Sequence, residues 1–158
     1  MQGHKSKLDW CLSNKDRLKR IHPDSKKAKE HVEKAKHNLL ASDYNLKGGF
    51  DDWVVSQCYY SMYHSLLAIL YKNGYESKNH ECTINAVEHL IQIKKVNLNI
   101  EDITFIRTAE QMKAKDAKSL REHFQYGTET DVNKELLDNL VKKAKEIVEK
   151  VEVALGNE

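Results

Sequence analysis

The sequence predicts an all-α protein: an up-and-down bundle of four to five principal helices with an extra N-terminal helix. Three observations carry that expectation. Only six glycines and one proline punctuate 158 residues. The segments between them are rich in Ala, Leu, Lys and Glu, which favour helix. Their apolar residues recur at spacings of three and four, the period of a helix face. At this length a single domain over residues 1–158 is expected, able to bury a core without metal or disulfide. Charged residues make up 32% and mean hydropathy is -0.71, values that suit amphipathic helices with long wet faces.

A first helix is expected over about residues 5–20, carrying Leu8, Cys11, Leu12 and Leu18. It must end near His22, because Pro23 disfavours helical geometry in the residue before it. Asp24 or Ser25 can cap the second, which runs to about residue 46 with Ala28, Val32, Ala35, Leu39 and Ser42 on one stripe and Gly48-Gly49 ending it. A third, about 51–73, opens on Asp51 and Asp52, suited to a positive helix N-terminus, and closes at Gly74 as a left-handed cap. Asn79 caps a fourth, with Ile84, Val87, Leu90 and Ile91 facing inward. "NIED" (99–102) reads as a capping box for a fifth that carries Ile103, Ile106 and Met112. The apolar period lapses between Met112 and Leu120, and Gly127 ends that segment. The last helix, about 131–155 with Thr130 as N-cap, places Val132, Leu136, Leu140, Ala144, Ile147, Val151 and Leu155 on one face.

The third helix is unusual for a core element. On a helical wheel Val55, Tyr59, Met62, Leu66, Ile69 and Leu70 are bulky, while Val54, Cys58, Ser61, Ser65 and Ala68 are small. A helix so covered is expected at the centre, its small face admitting another backbone closely. Its tyrosine hydroxyls then need partners, since an unpaired buried polar group costs about 1–3 kcal/mol. Tyr60 can meet His64, and Tyr59 can meet Tyr63, each pair four residues apart. The plainer reading makes these rim residues with an apolar body inside and a polar tip in water.

Other composition narrows the chemistry. Three cysteines with no C-x-x-C pair indicate neither a disulfide framework nor a zinc knuckle, so a reducing, intracellular setting is expected. The N-terminus lacks the apolar stretch of a signal peptide and no run is long enough to span a bilayer, so a soluble, cytoplasmic protein without membrane contact is expected. Residues 1–47 hold twelve Lys/Arg against six Asp/Glu within a chain of net charge +2, an asymmetry that fits either a nucleic-acid face or a solvated lysine-rich helix. No phosphate loop or dinucleotide fingerprint occurs, and His31, His37 and the "HEC" group (80–82) do not converge as metal ligands, so no metal and no cofactor are expected.

"AKEHVEKAKHNLLAS", "GFDDWVVSQCYYSMYHSLLAILYKNGY", "NH" and "LREHFQYG", in that order and spacing, resemble the HEPN family of small helical domains, in particular its stand-alone prokaryotic branch. The resemblance covers about residues 24–155 and leaves 1–23 as a helical extension. It implies a central third helix, a homodimer, and a partner protein, a minimal nucleotidyltransferase, in a toxin-antitoxin-like pair. There the HEPN protein is commonly an RNase, silenced by binding or by nucleotide transfer to a tyrosine.

The signature of the RNase members is an Arg followed after four to six residues by a His, often with a Tyr two positions further. Metal-free RNA cleavage needs a base for the 2′-hydroxyl and a cation for the phosphate. Here Arg121 is present, but Tyr126 stands at the histidine position and Thr128 where the tyrosine would follow. Tyrosine, with an ordinary pKa near 10, is a poor base at neutral pH. His123 lies only two residues from Arg121, around the helix from it, and the Arg17–His22 spacing match falls outside the resembling segment. Candidate residues are therefore Arg121 and Tyr126 for catalysis, Tyr60, His64, His80 and Arg121 for RNA or nucleotide binding, and Tyr126 as a modification acceptor. The function expected is RNA or nucleotide binding beside the nucleotidyltransferase. The alternatives are a metal-independent RNase lacking the usual histidine and a non-catalytic dimeric scaffold.

Overall fold

A computed structural model describes residues 2–107, 117–128 and 130–156. Among these the chain forms helices α1 (Gln2–Leu12), α2 (Ser25–Gly48), α3 (Asp51–Lys72), α4 (His80–Gln92), α5 (Ile100–Ile106), α6 (Ala117–Tyr126) and α7 (Lys134–Gly156), with short strands β1 (Leu18–Arg20) and β2 (Tyr75–Ser77). The all-α helical bundle holds. Met112 and the stretch where the apolar period lapses lie outside the described residues.

The helix expected over 5–20 is corrected. Ser13 Oγ donates to the Trp10 carbonyl at 2.6 Å and Asn14 Oδ1 accepts from the Asp16 amide at 2.8 Å, local bonds that compete with helix continuation. Arg17 then folds back over the Trp10 ring, 3.7 Å from its centroid. The chain beyond it extends into β1, which pairs antiparallel with β2 in the register Leu18↔Ser77, Lys19↔Glu76, Arg20↔Tyr75. Gly74 makes this ribbon possible. Its φ of 85° is left-handed, and a Cβ there would meet the Ile21 carbonyl oxygen at 2.9 Å, so both the turn and the close approach call for glycine.

The cysteine expectation is also corrected: Cys11 and Cys82 form a disulfide across 71 residues of sequence, tying α1 to α4. A pair so far apart leaves no local spacing signature, and the support the cysteines gave to a reducing setting falls away. Cys58 remains a free, buried thiol, pushed up to about 12 by burial, which makes it inert.

Asp24 caps α2 by accepting from the Lys27 amide at 2.9 Å, and Gly49, at φ 81°, ends the helix. Ala28, Val32, Ala35 and Ser42 are buried along its inner stripe. The central position of α3 follows from both of its faces. It packs against α2, α4, α5, α6 and α7, and Val54, Cys58, Ser61, Ser65 and Ala68 are as deeply buried as the bulky Tyr59, Met62 and Leu66. Ser61 and Ser65 bond backwards to the Cys58 and Ser61 carbonyls at 2.7 and 3.0 Å. The small face thus closes against its neighbours without leaving a hydroxyl unpaired.

Two helix starts differ from the sequence expectation. Asn99 precedes α5 but its side chain makes no capping bond, the Asp102 amide going to the Asn99 carbonyl at 3.1 Å; the Asp102 carboxylate that would complete the box is buried and reaches Lys143 at 2.8 Å and Lys150 at 3.0 Å on α7. Helix α7 begins at Lys134 rather than near 131, capped by Asn133 Oδ1 on the Leu136 amide at 3.2 Å. On α7 Leu136 faces outward, and it is Leu137 that sits in the core with Leu140, Ala144, Ile147, Val148 and Val151.

Asp102 therefore pins the short α5 to the long α7. Burial alone would raise its carboxyl, but the two ammonium groups hold it below its ordinary value. Asp102→Asn is expected to lower unfolding free energy by about 1–3 kcal/mol, the value of charge-assisted hydrogen bonds, measured by urea denaturation at neutral pH. The difference from the parent should shrink as pH falls through the native carboxyl's pKa, because protonation there removes the same ion pairs.

Candidate functional site

Three helices bring polar groups together beside the middle of α3. Tyr59, Tyr60 and Tyr63 project from α3, His80 and Thr83 from the first turn of α4, and Arg121 from α6. The Tyr59 hydroxyl and His80 Nδ1 share a hydrogen bond of 2.9 Å, and Tyr63 and Thr83 share one of 3.0 Å. The Tyr63 and His80 rings stack with centroids 4.3 Å apart. Arg121 is 93% buried at 7% exposure. Its guanidinium carbon lies 4.9 Å from the Tyr59 ring centre and 5.5 Å from that of Tyr60, within cation–π range. Nη1 donates to the Tyr60 hydroxyl at 3.2 Å and to Gln125 Oε1 at 3.1 Å, while the buried Nε has no acceptor.

The local sequence explains this placement. Gly74 turns the chain into β2, whose end delivers Asn79; Asn79 Oδ1 caps α4 by accepting from the Cys82 amide at 2.9 Å. His80 is thereby fixed as the first residue of α4. Thr83 Oγ1 donates to Ser77 Oγ at 2.7 Å, tying the α4 start to the ribbon, and the Cys11–Cys82 disulfide fastens the same turn to α1. The N-terminal extension is thus a buttress for His80.

Tyr60, His80 and Arg121 come together around Tyr59. His64 does not join them. Its Nδ1 lies 2.9 Å from Nδ1 of His31 on α2, and the His31 ring stacks on both His64 and Tyr71 with centroids 5.2 Å apart. Four residues bring Tyr60 and His64 to the same side of α3, but neighbouring helices claim them separately: α6 takes Tyr60 and α2 takes His64. Tyr126, at the end of α6, is 74% exposed with its phenol open to solvent. Tyr59, Tyr63, Thr83 and Gln125 are members of the cluster that residue types alone do not single out. The i, i+4 spacing of Tyr59 and Tyr63 is the one signal that places two of them together.

Electrostatics separate the two histidine environments. Burial raises the Tyr59 hydroxyl's pKa, with Tyr63 adding and Arg121 opposing, so the phenol stays protonated and available to His80. Burial likewise lowers both His31 and His64, His64 to about 4, helped by His31 itself and by Lys34. Because the two Nδ1 atoms face each other, one must donate and the other accept, and a second proton has no place.

The basic segment 1–47 is partly answered within the molecule. Lys36 of α2 pairs with Glu152 at 2.8 Å and Lys19 of β1 with Glu76 at 3.4 Å. Asp43 of the same segment pairs in the opposite sense with Lys145 at 3.3 Å. Such exposed pairs add little stability.

The histidine pair predicts an acid-sensitive fold. An imidazole neutral in the native state and ordinary when unfolded takes up a proton on unfolding below pH 6.5. Its contribution to stability is therefore complete above pH 6.5 and is lost as pH falls towards about 4. Thermal unfolding of the parent and of His64→Phe between these limits is expected to show a steeper acid loss in the parent; parallel curves would contradict the assignment.

No helix among the described residues is long and apolar enough to cross a membrane. No curated protein matches the chain. The HEPN domain family matches residues 28–154, which takes in α3, α4, α6 and nearly all of α2 and α7. With more than half of its length matched, the chain belongs to the HEPN domain family.

Proposed function

We propose that this HEPN protein binds RNA or a nucleotide at the Arg121 cluster and works with a minimal nucleotidyltransferase in a toxin-antitoxin-like pair, as a homodimer in the cytoplasm. The observation that carries the reading is Arg121 itself: a guanidinium spread across Tyr59 and Tyr60, with a buried Nε that has no acceptor. An arginine so placed presents planar charge for a phosphate and has aromatic faces next to it for a base. Tyr126, the open phenol on the same helix, is the acceptor for nucleotide transfer in this proposal.

A second reading, a metal-independent RNase, is favoured by one specific contact. Arg121 and His80 both touch Tyr59, so an imidazole stands near the arginine although Tyr126 occupies the motif's histidine position. With Nδ1–H donating to the Tyr59 hydroxyl, His80 would take the 2′-hydroxyl proton at Nε2 while Arg121 holds the phosphorane charge.

One set of reactions tests both. Arg121→Ala is expected to weaken binding of a fluorescent single-stranded RNA at least tenfold, with His64→Phe unchanged; equal affinities would remove the Arg121 cluster as the site. The same RNA on a denaturing gel remains intact if the protein only binds. Cleavage abolished by both Arg121→Ala and His80→Ala would establish the second reading. Incubation with the partner transferase and a nucleoside triphosphate should add nucleotide mass to the parent and none to Tyr126→Phe.

A further inference from the structure

The end of the bundle where α3 begins carries a surface unlike the rest. Phe50, Trp53 and Tyr126 are 58%, 57% and 74% exposed, and large aromatics left in water at this density mark a contact surface. A cleft of about 120 Å³ opens at Trp53, lined by Asp52, Trp53, Ser56, Gln125, Gly127, Thr128 and Thr130. Trp53 forms one wall and the Asp52 carboxylate stands beside it. Asp51, next to it in the first turn of α3, adds a second carboxylate at this end. Lys47 is the basic residue nearest in sequence to the aromatic pair.

The occupant follows from that chemistry. An RNA phosphate would meet the Asp52 carboxylate in the cleft and Asp51 beside it, which repel it. A second copy docked face to face would bring the same carboxylates against one another, the like-charge juxtaposition that suppresses wrong partners. A cation gains from both groups in the cleft at once, an ion pair with Asp52 and a cation–π contact with the indole. The cleft's volume matches the head and part of the stem of one long basic side chain, and the surrounding aromatics provide the apolar area that would seal such an anchor from water.

We propose that this end of the bundle docks a partner protein that inserts an arginine or lysine side chain between Trp53 and Asp52. The cleft borders the Arg121 cluster through Gln125, which accepts from Arg121 Nη1 at 3.1 Å, but its indole and carboxylate are not part of that cluster: Trp53 precedes Tyr60 by seven residues, about 10 Å along α3. It therefore stands whether or not RNA binds there.

The test uses the full chain with Trp10→Phe, which leaves Trp53 as the sole indole. An acetylated, amidated Gly-Arg-Gly peptide is expected to quench Trp53 fluorescence saturably, and the isosteric citrulline peptide, which lacks the charge, to need at least fivefold more. Asp52→Asn should weaken the arginine peptide roughly fivefold, equivalent to about 1 kcal/mol. Equal responses to arginine and citrulline would overturn the proposal, and that arm needs no variant at Asp52. Two other results would also overturn it. One is protection of Trp53 by an oligouridine that strengthens in Asp52→Asn. The other is self-association in sedimentation that Trp53→Ala abolishes.

Discussion

A helix buried on every side must satisfy each polar group it carries from within the protein, and α3 is such a helix. From Val54 to Leu70 no residue of it is exposed, yet the stretch holds three tyrosines, three serines, a glutamine, a cysteine and a histidine. Each hydroxyl left unpaired would cost about 1–3 kcal/mol, a large share of a small domain's stability. The Gln57 carbonyl oxygen stays buried without a partner; for the hydroxyls and the histidine the fold answers in two ways. Ser61 and Ser65 bond to their own helix, which keeps that face smooth enough for a close neighbour. The tyrosines and histidine reach outward and oblige α2, α4 and α6 to supply partners. His31, His80, Thr83 and Arg121 are those partners.

This constraint also explains the N-terminal addition. His80 can satisfy Tyr59 only if α4 starts at that residue, and the start is fixed by the Asn79 cap, the Gly74 turn and the β1–β2 ribbon. The disulfide from α1 lands within the same first turn, at Cys82. Residues before the family match thus act on the core by holding one turn of α4 in place. On the opposite side the Asp102 pair with Lys143 and Lys150 performs the corresponding service for α5 and α7.

Much of the fold was legible in the sequence where the signal is local. Asp24 and Asn79 announced their caps, Gly49 and Gly74 their left-handed turns, and the wheel of α3 its double burial. What escaped is what depends on pairs distant in sequence. The Cys11–Cys82 disulfide and the β1–β2 ribbon join segments more than fifty residues apart, and Asp102 abandoned a predicted capping box for lysines on another helix. The candidate site divides in the same way. Helix spacing and the family resemblance together proposed Tyr60, His80 and Arg121, which meet at Tyr59. They also proposed His64, whose true neighbour is an imidazole 33 residues earlier, and a sequence pattern cannot choose between two helices competing for one side of a third.

The account's central claim is that α3 gathers Tyr59, Tyr60, His80 and Arg121 into a site for RNA or nucleotide, rather than leaving binding to the lysines of α2. Photocrosslinking a 4-thiouridine RNA to the intact protein, with adducts mapped by mass spectrometry, tests this most directly. The account predicts adducts concentrated on Tyr60, His80 and the adjoining turn of α6, and lost in Arg121→Ala. Adducts confined to α2, indifferent to Arg121, would contradict it.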